Sequence, residues 1–374
     1  MPLRVGLTYN LRKDAIPSGL PDDYYAEFDE ESTVNAIAEA LKRAGCSVLL
    51  IEADENAYDI LRNTRPDIVF NIAEGLRGES RESHIPAILE MLGIPYTGSG
   101  PLTLAIALDK MLTQEILHYK GVPTPRHQVL TAPEDRLNTR LRFPLIVKPI
   151  HEGSSKGIRN DSVVSNKEKL REKVAYIVKN YDQPALVEEF IDGREFTVGL
   201  LGNKNPVVLP IVEITFKGLP EGANKIYSYE AKWIWDIPEK PLDMFQCPAN
   251  VPRELREKID RIARKVFKLL GCRDMCRVDM RVDESGTPYI LEVNPLPGMI
   301  PDPRAHSCLP EAARAAGFTY DQLICTILYY ALERYGMGNR LNDMSLVKLP
   351  EKAFNNESGW KCHVSDPLRS EGQG

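Results

Sequence analysis

The sequence predicts an α/β protein of three units, and three observations carry that reading. Over residues 1 to about 102, apolar strand-like runs alternate with helical spacing, which implies a parallel sheet with helices on its faces. From about residue 103 a glycine- and serine-rich loop follows a short apolar strand. Near the C-terminal end, the stretch 277–294 alternates apolar and polar residues on both sides of an Asp-Glu-Ser-Gly turn, the pattern of a β-hairpin. At 374 residues the chain is long enough for two or three domains.

Composition narrows the class. Hydrophobic residues make up 43% and charged residues 27%, ordinary values for a soluble enzyme. The net charge of -6 argues against nucleic acid or an anionic membrane as the main partner. No apolar run approaches the roughly 18 residues of a membrane helix, and the N-terminus enters a strand with no signal-peptide pattern. Seven scattered cysteines suggest the reducing cytoplasm. Cys272 with Cys276, and His306 with Cys308, are too loosely clustered for a zinc site and read as buried or incidental thiols.

In chain order, Arg4–Thr8 is a strand, and Glu31 to Ala44 has helical spacing through Val34, Ile37, Ala38 and Leu41 before Gly45. Cys46–Ile51 and Asp67–Ile72 are the next strands. Ligands of such sheets sit at the carboxyl ends of strands, where Glu74–Glu79 forms a polar, glycine-containing loop. After Leu92–Gly100 comes a helix carrying Asp109 and Lys110. Phe143–Pro149 is a strand ended by proline, and the loop His151–Gly157 follows it. Backbone amides and hydroxyls of such a loop can wrap phosphates while a lysine supplies charge; the same composition also makes a plain turn. Leu186–Phe190 is a strand bearing Glu188 and Glu189, and Asp192-Gly193 turns the chain into Glu195–Leu201. Pro252–Leu270 is an amphipathic helix stopped by Gly271, and Leu309–Tyr335 a further helical stretch. Lys352–Gly374 has little to bury and is expected to be a disordered tail.

The hairpin holds the chemistry. A two-residue turn at Ser285-Gly286 places Asp279 opposite Glu292 and Arg277 opposite Asn294. A four-residue loop keeps these residues on one face, and a three-residue loop with a bulge separates the two acids. Carboxylates and an amide oxygen converging on one face call for a hard cation, Mg²⁺ or Mn²⁺; a solvated polar face with two unrelated acids is the other reading. Pro295–Met299 then ends the strand, with Gly298 leaving an approachable backbone amide.

The ordered set Asp109-Lys110, Lys148-Pro149, Gly153–Gly157, Glu188–Phe190, Gly193–Thr197, Glu230–Lys232, Arg277–Asp279 and Glu292–Asn294 resembles that of the ATP-grasp ligases. Within them it is similar to the D-alanine–D-alanine ligases, with Ile94–Gly100, Pro297–Met299 and His306-Ser307 pointing the same way. The resemblance covers roughly residues 67 to 335. It implies an ATP-grasp fold with an N-terminal, substrate-side parallel-sheet domain (1–102). A central subdomain (103–192) and a C-terminal catalytic subdomain (193–350) would hold the nucleotide between them, followed by the tail 351–374.

The resemblance also implies roles. ATP phosphates would meet Lys110, Lys148 and the loop with Gly153 and Ser155. Glu188, Glu189 and Phe190 would surround the adenine, and Glu195 would hold the ribose. Lys232 would sit by the γ-phosphate, and Asp279, Glu292 and Asn294 would bind two Mg²⁺ ions with Glu292 bridging. Arg277 and the Gly298 amide would stabilise an oxyanion, Ser307 would hold a substrate carboxylate, and Ser154 would help to bind substrate. The activity implied is ADP-forming peptide-bond formation between small amino acids through an acyl phosphate, in peptidoglycan precursor synthesis, by a cytoplasmic enzyme that forms homodimers. Joining other amino acids or an amine is the alternative.

This sequence also departs from the family pattern. The Gly-Gly-x-Ser-x-Glu pattern after the first strand is missing: Thr8-Tyr-Asn10 opens a longer insertion, leaving Glu31, or Glu30, to read the substrate ammonium. Trp233 stands where tyrosine is usual, losing that hydroxyl's bonds to Ser154 and to the glutamate. Pro301–Ala305 lengthens the loop after Met299, and Cys308 replaces leucine.

Overall fold

The computed structural model describes residues 1–237, 240–305, 307–341 and 344–348. His306 and the tail expected from Lys352 onward lie outside these residues. At the N-terminus, β1 (Arg4–Tyr9), β2 (Ser47–Glu52) and β3 (Ile68–Asn71) pair in parallel in the order β2-β1-β3. Helix α1 (Glu31–Arg43) packs Val34, Ile37 and Leu41 against Val5, Leu7 and Phe70 on one face. On the other face, α2 (Ala57–Thr64) and α3 (His84–Leu92) bury Leu61 and Leu89 against Ile51 and Val69. Helices on both faces are what an all-parallel sheet requires.

The helix expected to carry both Asp109 and Lys110 is broken between them. Asp109 is extended; it ends α4 (Pro101–Leu108) and caps α5 (Lys110–Tyr119), its carboxylate accepting from the Leu112 amide at 2.8 Å. Aspartate competes for backbone amides and therefore favours a cap over a helix interior. The break makes Lys110 the first residue of α5, where it is 3% exposed.

The next sheet is antiparallel, with β4 (His127–Leu130), β5 (Leu145–Pro149), β6 (Val163–Val164) and β7 (Ala185–Glu189) in the order β4-β7-β5-β6. Helix α6 (Lys167–Tyr181) covers it with Leu170, Val174 and Ile177. A third sheet, also antiparallel, orders β8 (Arg194–Gly202), β10 (Val212–Ile214), β11 (Phe245–Gln246), β12 (Asp274–Val282) and β13 (Pro288–Asn294) as β11-β10-β8-β12-β13, and β9 (Val207–Val208) pairs with β8. Helix α7 (Arg253–Leu270) buries Ile259, Val266 and Phe267 on one face of this sheet.

The opposite face takes α8 (Cys308–Ala315) and α9 (Tyr320–Arg334). The stretch 309–335 is thus two helices. Gly317 adopts a positive φ of 77°, and Thr319 starts α9 through a capping box with Gln322. Residues of α1, β8 and α9 share one core, and Arg43 pairs with Asp321 at 2.6 Å, so the N-terminal sheet is seated on the C-terminal one.

The β12–β13 register differs from the expected route while keeping the expected pairs. Val282 pairs with Pro288 and Asp283 donates to the Thr287 carbonyl, so the loop is not the two-residue Ser285-Gly286 turn. Three residues, Glu284 to Gly286, span it, with Gly286 at φ 73°. That loop alone would offset the two acids. A bulge between Asp279 and Met280 restores the pairing: Met280 faces Ile290, Asp279 faces Glu292, and Leu291 is the extra residue.

Candidate active site

A cavity of about 510 Å³ lies between the two antiparallel sheets, both of which contribute to its wall, and the N-terminal unit closes it with the insertion and with Ile72 and Glu74 just past β3. On β12 and β13, Val278, Met280, Ile290 and Val293 face the α7 core, because side chains alternate along a strand. Arg277, Asp279, Glu292 and Asn294 therefore share the cavity face, joined there by the bulged Leu291. Asp279 accepts from Thr197 Oγ1 at 2.8 Å and from Arg277 Nη2 at 2.9 Å. Glu292 Oε1 lies 3.1 Å from Lys110 Nζ. Burial pushes the Glu292 carboxyl up, but the Lys110 and Arg277 charges outweigh it and hold the group below its usual range. Among the described residues no group of three or more His, Cys, Asp or Glu is arranged to hold a metal. The oxygen donors here are two carboxylates and one amide, a set that suits a hard cation completed by substrate phosphates.

Farther along the cavity, Glu188 is fully buried. It pairs with Lys148 Nζ and accepts from Gln114 Nε2. Glu189 accepts from the Arg142 amide at 3.0 Å. Glu195 takes Arg281 Nε at 2.8 Å, and burial raises its pKa against that guanidinium. The same guanidinium lies over the Phe190 ring, 4.5 Å from its centroid, a cation–π contact beside the cavity.

The glycine-serine loop has unusual backbone. Ser154 and Ser155 have φ of 49° and 62°, and Gly157 has φ 72°. The left-handed region costs a non-glycine residue on the order of 1–2 kcal/mol, and it persists where surroundings impose it. Those surroundings come from two sides. Trp233 Nε1 donates to the Ser154 carbonyl at 3.2 Å, Ser155 Oγ donates to the Tyr227 carbonyl at 2.8 Å, and Lys232 Nζ is 3.4 Å from Ser154 Oγ. From the N-terminal side, Glu27 accepts the Gly153 amide and Asp23 the Gly157 amide.

Two sequence expectations about this loop change. The Gly153 amide is engaged by Glu27, which leaves Ser154 and Ser155 as the residues between the glycines that line the cavity. Trp233 does not lose the contact with Ser154; its indole N–H moves that contact to the backbone carbonyl, a bond that needs only a donor. The loop's own lysine, Lys156, is buried and paired with Glu27 and Glu152.

Beyond the end of β13, Ser307 Oγ donates to the Gly298 carbonyl at 3.0 Å, and both residues line the cavity with Arg277 and Lys232. Burial, followed by the Arg277 charge, pushes the Lys232 ammonium down to about 8. Glu31 is corrected. It is the exposed first residue of α1 and lines a neighbouring opening rather than the cavity itself.

Glu30, the other candidate, does line the cavity, as do Asp29 and the buried Glu27 of the same insertion, the last 8% exposed. Both Glu27 oxygens lie 2.8 Å from Arg81 Nη2, and the carboxylate sits 3.2 Å from Lys156 Nζ. Glu74 lines the same wall. Sequence reasoning missed Asp23, Glu27 and Arg81. The available signal was Tyr25, Ala26 and Phe28, apolar residues within a polar stretch that had to be buried against something.

Comparison with known proteins agrees with this geometry. The family model described as D-ala D-ala ligase C-terminus matches residues 116–329. A D-alanine–D-alanine ligase of Carboxydothermus hydrogenoformans is 36% identical over 310 residues, covering 80% of this chain and 93% of the relative. An uncharacterized protein of Sinorhizobium fredii is 39% identical over 310 residues, covering 80% and 88%. The crystal structure of the Bacillus anthracis D-alanine–D-alanine ligase complexed with ATP superposes with a TM-score of 0.67 at 27% identity, covering 89% of this chain and 99% of that one. The match runs along nearly the whole length of these relatives, and the chain belongs to the D-alanine–D-alanine ligase family of ADP-forming, ATP-dependent ATP-grasp ligases.

Proposed function

We propose that this protein joins two small amino acids, D-alanine–D-alanine ligase fashion, splitting ATP to ADP and phosphate. The observation that carries the reading is the register of β12 and β13, which brings Asp279, Glu292 and Asn294 onto the cavity face beside Lys110, Lys232 and Arg277. In this reading Lys110 and Lys148 hold phosphate oxygens, Glu188 and Glu189 with Phe190 surround the adenine, and Glu195 holds the ribose. Asp279, Glu292 and Asn294 hold Mg²⁺ or Mn²⁺, which when bound supplies positive charge against the transferring phosphoryl group.

The carboxylate of the first amino acid attacks the γ-phosphorus, the bond to ADP breaks, and an acyl phosphate results. Lys232 stands beside the oxygens that gain charge. The amine of the second amino acid then attacks the acyl carbon, and Arg277 with the Gly298 amide faces the oxyanion before phosphate leaves. Ser307 holds a substrate carboxylate. No nucleophilic side chain is required.

The proposed division of labour is 1–102 for the amino-acid side, 103–192 and 193–350 for the nucleotide, in a cytoplasmic homodimer serving peptidoglycan precursor synthesis. A second reading, in which other amino acids or an amine are joined, is favoured by Trp233 and by the Glu27–Arg81 pair on the amino-acid side. The test is a screen of D- and L-amino acids for product with ATP and Mg²⁺, with ADP and AMP both quantified. ADP with phosphate is expected; AMP with pyrophosphate overturns the acyl-phosphate route.

A further inference from the structure

The contacts between the N-terminal insertion and the loop 153–157 have a pattern that the ligase chemistry above does not use. Asp23 is 1% exposed, and its Oδ2 accepts two hydrogen bonds, one from the Gly157 amide at 2.9 Å and one from Tyr181 Oη at 2.7 Å. Its Oδ1 is buried without a partner. A buried carboxylate is costly unless its charge and acceptors are used; the Arg159 guanidinium, 3.6 Å from Oδ2, balances the charge, and the two hydrogen bonds fix the position of the group. Gly157 has no freedom to move aside. A Cβ there would come 2.3 Å from Pro149 and 3.1 Å from Tyr181, so only glycine lets the strand end, α6 and the insertion meet at this point. Four residues along the insertion, Glu27 takes the amide at the other end of the same loop. Between the two gripped glycines lie Ser154, Ser155 and Lys156; the two serines are left-handed and the Lys156 amide closes the turn onto the Gly153 carbonyl at 2.9 Å, a conformation whose successive backbone amides suit an anion.

We propose that Asp23 is a positioning residue for the phosphate loop. By holding the Gly157 amide from the N-terminal unit, it keeps the strained Ser154–Ser155 turn in the phosphate-receiving shape. The proposal rests on the reading of residues 153–157 as the loop over the ATP phosphates. It gives the insertion, which is this chain's departure from the family pattern, a definite task. It also links the two substrates: whatever seats the N-terminal unit on the loop strengthens nucleotide binding, and nucleotide reciprocally favours the seated unit.

The test uses full-length protein and isothermal titration with two probes, the Mg²⁺ complex of β,γ-imido-ATP and adenosine. Asp23→Ala is expected to weaken β,γ-imido-ATP by about tenfold or more, the scale of losing one charge-assisted hydrogen bond, with adenosine affinity unchanged. Asp23→Asn, whose amide oxygen still accepts from Gly157, is expected to restore most of the affinity. A general loss of packing would weaken both probes and would not be rescued by asparagine. Wild-type affinity of Asp23→Ala for the imido analogue, while Lys148→Ala loses it, overturns the positioning role and leaves the ATP site standing. Wild-type affinity in Lys148→Ala as well overturns the phosphate-site reading itself. Should Asp23→Ala fail to fold by circular dichroism, Tyr181→Phe takes its place. It removes the hydroxyl that orients the carboxylate and is expected to weaken the imido analogue but not adenosine; unchanged affinity for both overturns the proposal.

Discussion

Asp279 faces Glu292 across the β12–β13 hairpin because Leu291 is one residue too many for the ladder. The three-residue loop moves the register one way and the bulge moves it back. Deleting Leu291 should therefore close the ladder without a bulge and leave Glu292 facing Asp279 and Asn294 facing Arg277. Mg²⁺-dependent turnover should survive the deletion. Its loss in a folded deletion variant would show that the bulge, and not the facing pair alone, is required.

Glu292→Gln tests the same face without moving the backbone. Glutamine keeps the shape and an acceptor oxygen but not the charge. Folding should be nearly intact, and kcat should fall by at least roughly 10²-fold, as when one strong electrostatic partner of a transition state is lost. Near-normal turnover at saturating Mg²⁺ would remove the metal role.

Lys232 should set the alkaline limb of activity. Burial and then Arg277 lower its pKa to about 8, so the ammonium that we propose faces the γ-phosphate is lost as pH rises through that value. Activity at low ATP should decline above pH 8, and Lys232→Arg should move the decline well up the pH scale, since a guanidinium stays charged. The stability consequence has the opposite sign. Between about 8 and the ordinary value of 10.5 the unfolded chain holds the proton that the folded chain gives up, so this group makes the protein more stable as pH rises across that window. A limb at the same pH in Lys232→Arg would assign it to another group.

Asp29 makes the complementary case. Burial, and then Glu30, raise its pKa from 3.8 to about 7. Its contribution to stability is fully present below the unfolded value and is lost as pH rises through 7. Asp29→Asn should raise the thermal midpoint at pH 8 and change it little at pH 4. A larger drop at pH 8 than at pH 4 would show that the ionised carboxylate is stabilised in the fold.

Substrate choice should respond to Trp233. Its indole is larger than a phenol and donates without accepting, and here it is committed to the Ser154 carbonyl. Wild type should use D-alanine less well, relative to larger D- and L-amino acids, than Trp233→Tyr does. The comparison is kcat/KM for each amino acid in both proteins, since a polar group left unpaired in a site is worth a large factor there. Identical preferences in the two would end this account of the pocket.

The sequence by itself determined most of the elements and many of the residues that line the cavity. Alternation in 277–294 put Arg277 with Asp279 on one face of their strand and Glu292 with Asn294 on one face of theirs, and local periodicity found α1 and α7, because side-chain direction within a strand or helix follows from spacing alone. Glycines and the serines between them marked the loop over the cavity for the same local reason. What only the tertiary structure decided were the relationships that no spacing encodes. A bulge at Leu291 rescued a register that the loop length would have spoiled. Asp109 stopped a helix that periodicity would have continued, because its side chain found a backbone amide to cap. The insertion was the extreme case. Asp23 and Glu27 meet Gly157 and Gly153 across 134 and 126 residues of sequence, and Glu27 meets Arg81 across 54. Contacts of that separation depend on how three sheets pack, so the buried Glu27 stands at the cavity wall and the exposed Glu31 does not.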